Sequence, residues 1–231
     1  MGNKTYLFAG ASSAIALAAA KELRQEGNFV IGISTKEADQ NYDEFFTIAK
    51  YENESFPKME KPIDGIVYFP GTINLKPFNR LTNSDFLNDY QINSLGAANF
   101  IQFYLPNLKL SGNASIVLIS TVAVATGMPF HASIAMAKGA IEGLTKALAA
   151  EFAPTIRVNC IAPSLTETPL TAKFINTAEK MDASQKRNPL KKVGSANEVA
   201  NAITFLLQDK ARWITGQILA VDGGMGSLKL L

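Results

Sequence analysis

The chain has 231 residues, 47% of them apolar, so it can bury a sizeable core and its length fits one domain better than two. Its formal net charge of +2 comes from interspersed acids and bases, and the densest basic run, at residues 186–192, is interrupted by Pro189, which favours a solvated loop over a nucleic-acid surface. One cysteine and one histidine exclude an internal disulfide and leave a zinc site mostly to carboxylates, so we predict no metal.

The sequence carries no membrane or targeting signal that we recognise. No stretch reaches about 18 uninterrupted apolar residues, and the first strand is entered without a charged and then apolar leader. Tyr6 stands where a myristoylation signal needs Ser or Thr. Cys160 lies in the apolar run IRVNCIAP and is expected to be a small core side chain. We therefore expect a cytoplasmic protein in a reducing compartment, with no membrane partner.

Short β-branched runs alternate with longer helical patterns along the chain. The first helix, SAIALAAAKELRQEG, is expected to end at Gly27 in a left-handed cap, with the second strand two residues later. Between Ser34 and Ile63 the pattern weakens and leaves room for one short strand near Phe46–Ala49. The other strand-like runs are KTYLFA, FVIGIS, IDGIVYF, ASIVLIS, IRVNCIA and QILAVD. This alternation predicts βαβ units and a parallel sheet covered by helices on both faces.

Small residues fill the turn between the first strand and the first helix, LFAGASSAIA. Gly10, Ala14 and Ala16 stand where a dinucleotide-binding fold needs small residues, because the backbone must turn sharply, approach a pyrophosphate and direct helix N–H groups at it. Two of the three usual glycines are alanines here, and such loops also occur for packing. The loop alone leaves nucleotide binding and simple packing both open.

The end of the second strand, GISTKE, is where an acidic residue would bind the ribose hydroxyls of NAD. Ser34, Thr35 and Lys36 instead offer hydroxyls and a cation, which suit the 2′-phosphate of NADP. An ordinary exposed turn can have the same composition, so the sequence does not exclude NAD. Because of the hydroxyls and the cation, we expect NADP as the cofactor, with NAD possible.

The segments DYQINSLGAANF, RVNCIAPSLTETPL and NPLKKVGSANEVANAITFLLQDKARWITGQILAVDGG make the chain resemble the short-chain dehydrogenase/reductase family, in its branch of single-domain enzymes of roughly 250 residues. The resemblance covers nearly the whole chain. It implies a Rossmann-type doubly wound parallel sheet with helices on both faces, in a single dinucleotide-binding domain over residues 1–231. The long irregular stretch at 163–196 is expected to be its substrate loop.

The resemblance also implies roles for individual residues. Asn93 matches the catalytic asparagine, in a helix where its side chain would hold a water beside Lys138, the lysine that hydrogen-bonds the nicotinamide ribose. Thr168 matches the threonine that contacts the nicotinamide amide. The run YFPG, at residues 68–71, stands where the family usually has Asn-Asn-Ala-Gly, so both asparagines are lost. The expected cofactor-binding residues are Gly10, Ser12, Ser13, Ala14, Ile15, Ser34, Thr35, Lys36, Pro70, Gly71, Asn93, Lys138, Pro163, Ser164 and Thr168.

The helical segment HASIAMAKGAIEGL departs from the family at its catalytic tyrosine. That tyrosine lies four residues before the lysine, at a position that Ile134 occupies here, and the family's serine position holds Thr121. A shift of register cannot supply the phenol, because all six tyrosines occur at or before Tyr104. Thr121 keeps a hydroxyl that can orient a carbonyl oxygen, whereas Ile134 has no donor.

Two other side chains of this segment are candidates for the missing acid. His131 precedes Ile134 by three residues and can share its helical face, and histidine can act as an acid near neutral pH. A lone histidine at a helix start is more often structural. Ser133 points about 100° away from Ile134 on a helix and is expected to be an N-cap hydroxyl.

Two hypotheses follow for the function. In the first, the protein is an NADP(H)-dependent oxidoreductase for a small carbonyl or alcohol, in which Thr121, Asn93 and Lys138 organise the site and His131, Lys138 or water moves the proton. In the second, the fold is retained without chemistry, as a nucleotide-binding, regulatory or scaffolding protein. The family also implies a homodimer or homotetramer, formed here through the segments Asn83–Phe103 and Ser133–Phe152.

Overall fold

A computed structural model describes residues 3–37 and 41–229 of the chain. Its main sheet has seven parallel strands in the order β3-β2-β1-β4-β5-β6-β9, and β7 and β8 form a separate parallel pair. The strands are β1 (Thr5–Ala9), β2 (Phe29–Ser34), β3 (Glu44–Thr47), β4 (Gly65–Tyr68), β5 (Ala114–Ile119), β6 (Ile156–Pro163), β7 (Thr166–Glu167), β8 (Gly194–Ser195) and β9 (Ile218–Val221).

Helices cover both faces of the sheet. They are α1 (Ala14–Gln25), α2 (Asn83–Tyr90), α3 (Gly96–Ser111), α4 (Ala123–Thr126), α5 (Ala132–Phe152), α6 (Ala178–Arg187) and α7 (Ala196–Leu207), with a π-helical turn, Gln91–Leu95, joining α2 to α3. One buried apolar cluster joins the sheet to α3 and α5, and a second joins the other face to α1 and α7. The doubly wound Rossmann-type architecture expected from the sequence is confirmed.

Local sequence signals set the ends of these elements. Ser13 caps α1, since its side chain accepts a hydrogen bond from the Ala16 backbone N–H at 3.2 Å. Gly27 adopts a φ of +84° just after α1, as expected for a left-handed cap. Strand β3 begins at Glu44, two residues before the predicted start. None of the helices in the described ranges is long and apolar enough to cross a membrane.

The prediction of irregular structure at 163–196 was wrong for part of that stretch. Helix α6 runs through its centre, and Lys186 and Arg187 form the last turn of this helix instead of lying in a loop. The sequence of α6, AEKMDASQKR, has no buried residue, so it lacks the apolar stripe by which an amphipathic helix is recognised. The two basic side chains at its carboxyl end suit the negative end of the helix dipole.

The strand order places the candidate site. Strands β2 and β4 both flank β1, so the chain reverses its direction of winding between β1 and β4. In parallel sheets of this kind, ligands bind in the crevice at the carboxyl ends of the strands at such a reversal.

Candidate functional site

A cleft of about 1440 Å³ opens at this edge of the sheet. Most residues expected to bind a cofactor or substrate line it, although they come from separate parts of the chain. They are Gly10, Ser12, Ser13, Ala14, Ile15, Thr35, Lys36, Pro70, Gly71, Thr121, His131, Ile134, Lys138, Pro163, Ser164 and Thr168. Ser34 and Asn93, at 1% and 0% exposure, instead lie buried behind the wall of the cleft.

The loop after β1 packs tightly against the loop after β4. Gly10 has a φ of +72°, and a Cβ added there would lie 2.8 Å from the Cδ of Pro70. Any larger residue would therefore force the two loops apart. Ala14 faces the cleft, whereas Ala16, on the buried side of α1, is fully buried. The amino end of α1 thus opens onto the cleft, where its backbone N–H groups can bind an anion.

Beyond this loop, the wall of the cleft is formed by the end of β2. Ser34 and Ser12 share a hydrogen bond of 2.8 Å between their hydroxyls, so Ser34 ties the two loops together, while Thr35 and Lys36 face the cleft. Tyr51 also lines this wall, and sequence reasoning missed it. Its ring packs edge-on against Tyr68, with 5.7 Å between the ring centroids. Burial raises the pKa of Tyr51, and hydrogen bonding with Ser34 and Thr35 opposes this increase.

Lys138 reaches the cleft from α5 and is largely buried. Its Nζ donates to the backbone carbonyl of Ile119 at 2.7 Å. Burial lowers the pKa of this lysine to about 8, an effect that the nearby Cys160 opposes. A Cβ added to Gly71 would lie 3.5 Å from Lys138 Nζ and 3.1 Å from Asn93 Oδ1. Gly71 therefore lets the lysine and the asparagine approach the same point of the cleft wall.

Asn93 lies in the π-helical turn, and its carboxamide is held by protein groups. Its Nδ2 donates to Thr72 Oγ1 at 2.8 Å and to the carbonyl of Asp89 at 2.7 Å. Its Oδ1 accepts from the Thr72 backbone N–H at 3.3 Å. Both amide donors are therefore used within the chain, and only a lone pair on Oδ1 is left to hold a water or ligand. The expected water beside Lys138 stays a prediction.

Asp89 and its partners were not recognised from the sequence. The Asp89 side chain is fully buried and accepts from Thr72 Oγ1 at 2.6 Å and from Ser133 Oγ at 2.6 Å. Ser133 is therefore not the expected N-cap. Helix α5 begins after His131, which makes no side-chain cap, and the Ser133 hydroxyl spans the contact between α5 and α2 instead.

The remaining catalytic candidates line the cleft near Lys138. Thr121 Oγ1 accepts from the Ala123 backbone N–H at 3.3 Å, so its hydroxyl proton is available to a ligand. Ile134 is 4% exposed and presents only apolar surface. His131 Nδ1 lies 2.7 Å from the carbonyl of Pro129. A carbonyl only accepts, so Nδ1 carries the proton and Nε2 is an acceptor when the ring is neutral.

On the opposite side, the segment after β6 is tied to the rest of the fold. Ser164 Oγ donates to the carbonyl of Asp222 at 3.2 Å, and the hydroxyls of Thr168 and Thr171 lie 3.1 Å apart. Cys160 is fully buried within β6, as expected. Burial raises the pKa of its thiol to about 12, so it is an unreactive core side chain.

Comparison with known proteins gives consistent matches. A family model described as Enoyl-(Acyl carrier protein) reductase matches residues 47–226. A tropinone reductase homologue of Arabidopsis thaliana is 32% identical over 248 residues, covering 96% of this chain and 90% of that protein. The ligand-free aldohexose dehydrogenase of Thermoplasma acidophilum superposes with a TM-score of 0.92 at 25% identity, covering 99% of this chain and 96% of that one.

Other matches cover a smaller share of the matched protein's length. A further tropinone reductase homologue of Arabidopsis thaliana is 37% identical over 156 residues, or 67% of this chain. The matched region spans 51% of that protein, about half of its length.

Proposed function

The chain belongs to the short-chain dehydrogenase/reductase family, and from this premise we propose that it is an NADP(H)-dependent oxidoreductase that acts on a small carbonyl or alcohol. The observation that carries the proposal is the close approach of Lys138 Nζ and Asn93 Oδ1 to Gly71. This arrangement survives although the family tyrosine is replaced by Ile134.

The residues around the cleft fit a nicotinamide dinucleotide. The family binds NAD(P), and bound nicotinamide donates or accepts a hydride at the substrate carbon. Gly10 and Gly71 leave the wall without a side chain at two points, and the amino end of α1 faces the same cleft. Lys138 would hold the nicotinamide ribose, and Thr168 would contact the nicotinamide amide.

We assign the preference for NADP to Thr35 and Lys36. Both line the cleft at the end of β2, where the 2′ position of the adenosine ribose is expected. A cation and a hydroxyl bind a phosphate through charge-assisted hydrogen bonds. No acidic side chain directly follows β2; the first one, Glu37, also lines the cleft but comes after Thr35 and Lys36.

The chain offers groups for the carbonyl oxygen as well. The free hydroxyl proton of Thr121 orients the oxygen, and the Lys138 ammonium stabilises developing negative charge. The sequence suggests three sources for the proton that reaches this oxygen, namely His131, Lys138 and water. The substrate loop at 163–196, with α6 at its centre, closes the other side of the cleft.

A non-catalytic nucleotide-binding protein is the second candidate. The specific observation in its favour is Ile134, which puts apolar surface where the reaction needs a proton donor. The retained side chains of Lys138, Asn93 and Thr168 favour the oxidoreductase. The family is typically oligomeric, and we propose a homodimer or homotetramer for this member.

Nucleotide binding tests the proposal directly. We expect NADPH to bind in the micromolar range and more tightly than NADH, followed by fluorescence or calorimetry. Lys36→Gln should weaken NADPH binding by about tenfold or more, from the loss of a charge-assisted hydrogen bond, and leave NADH binding unchanged. Lys21→Gln, on the exposed face of α1, is the matched control. Binding of neither nucleotide at millimolar concentration would overturn both the cofactor assignment and the function.

A further inference from the structure

We propose that Thr72 and Asp89 carry the proton that the absent tyrosine would otherwise carry, with Thr72 at the substrate oxygen and Asp89 directly behind it. This inference rests on the proposed oxidoreductase function. Thr72 is the catalytic residue of the pair, because it lines the cleft, and Asp89 acts through it.

The burial of Asp89 calls for an explanation beyond packing. Its side chain is fully buried at the contact of α2 with α5. Within residues 3–37 and 41–229, no cation forms an ion pair with it. Burying a carboxylate costs several kcal/mol unless hydrogen bonds compensate, and two hydroxyls provide them here. Violations of packing rules of this kind tend to lie at functional sites.

Thr72 connects this carboxylate to the cleft. Its hydroxyl donates to Asp89 Oδ1 at 2.6 Å and accepts from Asn93 Nδ2 at 2.8 Å. A hydroxyl has one donor and two acceptor positions, so one lone pair of Thr72 remains for a substrate hydroxyl. Thr72 also directly follows Gly71, the residue approached by Lys138 and Asn93. The free acceptor is therefore part of the same site.

The carboxylate is also bonded to the helical turn that carries Ile134. Ser133, the immediate neighbour of Ile134 on α5, donates to Asp89 Oδ2 at 2.6 Å. Asp89 is thus held from both sides, by Thr72 from the cleft and by Ser133 from the helix that carries Lys138. This places a proton acceptor within two hydrogen bonds of the cleft.

The proton steps balance in both directions. In alcohol oxidation, the substrate O–H bond breaks and its proton goes to Thr72 Oγ1, while the proton of Thr72 goes to Asp89 Oδ1. The electron pair left on the substrate oxygen forms the carbonyl π bond, as the C–H hydride leaves to an oxidised nicotinamide cofactor. Water in the cleft recovers the proton through Thr72 after the product departs. Carbonyl reduction follows the same steps in reverse.

The first test needs no cofactor and no substrate. In protein labelled with ¹³C at the aspartate carboxyl carbons, the signal removed by Asp89→Asn reports the protonation of Asp89. In the wild type and in Thr72→Ser, the Asp89 carboxylate should take up a proton rapidly through the hydroxyl after a drop in pH. In Thr72→Val, this uptake should slow by about tenfold or more, because it then requires local opening of the α2–α5 contact. Equally fast uptake in Thr72→Val would overturn the proposal.

The second test measures NADPH oxidation with a panel of ketones, aldehydes and quinones. Thr72→Val and Asp89→Asn should lower kcat by about 10²–10⁴-fold at unchanged NADPH affinity, and Thr72→Ser should restore it. Asp64→Asn is the matched control, because Asp64 accepts from Ser111 Oγ at 2.7 Å and from the Thr5 N–H at 2.8 Å at the far edge of the sheet.

The outcomes separate the two proposals. A wild type that reduces members of the panel, with an Asp89→Asn variant of equal kcat, would overturn the role of this pair and leave the oxidoreductase standing. A wild type that binds NADPH and reduces nothing in the panel would overturn the oxidoreductase, and with it the catalytic use of the pair.

Discussion

Lys138 donates from its buried ammonium to the carbonyl oxygen of Ile119 at 2.7 Å. This one hydrogen bond joins α5 to the end of β5 and fixes the lysine at the wall of the cleft. Burial lowers the pKa of the ammonium from 10.5 to about 8. Keeping Lys138 charged therefore lowers the stability of the folded protein. The proposed chemistry needs a cation at this position.

Replacing Lys138 by Met should stabilise the protein at pH 7. A lysine pKa of about 8 in the folded state, against 10.5, corresponds to a cost of about 3 kcal/mol while the side chain is charged in both states. Losing the hydrogen bond to Ile119 costs the variant about 1 kcal/mol. The free energy of unfolding in urea should therefore rise by about 2 kcal/mol.

The pH dependence of this gain has a definite sign. Between pH 8 and 10.5 the unfolded chain binds more protons at Lys138 than the folded chain, so the wild type recovers stability as pH rises. The advantage of Lys138→Met should therefore shrink over this window. Lys146→Met, on an exposed position of the same helix, should show no such trend. An advantage independent of pH would contradict the lowered pKa.

His131→Ala should leave the rate of any measured reduction close to that of the wild type. The Nδ1 atom is engaged by the carbonyl of Pro129 at 2.7 Å, which indicates a structural role at the start of α5. NADPH affinity should also be unchanged. A fall in kcat of about 10²–10⁴-fold would instead identify His131 as the general acid.

Met136→Glu should dissociate the proposed oligomer. Met136 on α5 is 53% exposed, and Leu87 and Tyr90 on α2 are 67% and 42% exposed, which leaves apolar surface on the two segments expected at the interface. A buried charge without a partner would oppose association there. Light scattering should show a smaller particle for Met136→Glu. Leu190→Glu, at a similarly exposed position outside these helices, should keep the wild-type mass.

The main sheet and most of its covering helices were predictable because these elements carry their own local signals. The β-branched runs of β5 and β6 and the left-handed cap at Gly27 are visible without tertiary contacts. Gly10 was expected on the cleft from its loop after β1 and Lys138 from the resemblance to the family, and both residues line it.

The Thr72–Asp89–Ser133 network could not be predicted in the same way. Its hydrogen bonds join residues 17 and 44 positions apart, and no periodic pattern links such positions. The π-helical turn at Asn93 depends equally on tertiary contacts, including the Tyr68 hydroxyl, which donates to the carbonyl of Ile92 at 2.7 Å. Helix α6 was missed because it has no buried residue and its sequence lacks an apolar stripe.

Ile134→Tyr tests whether the cleft lacks only its usual acid. Ile134 is buried to 96% yet forms part of the cleft wall, one helical turn before Lys138. A cleft of about 1440 Å³ leaves room for a phenol ring. The hydroxyl would then arrive on the helical face of Lys138, where Thr121 can share the substrate oxygen.

We expect Ile134→Tyr to fold, to bind NADPH and to gain carbonyl reductase activity over the wild type, measured by NADPH oxidation. Ile134→Phe is the control, because it adds the ring without the hydroxyl and should gain nothing. Overpacking a filled core typically costs about 1–3 kcal/mol, so an equal loss of stability in both variants, without new activity, would mean that residue 134 belongs to the core. That result would favour the non-catalytic function, because the cleft would then have no room for an acid at the position the family uses.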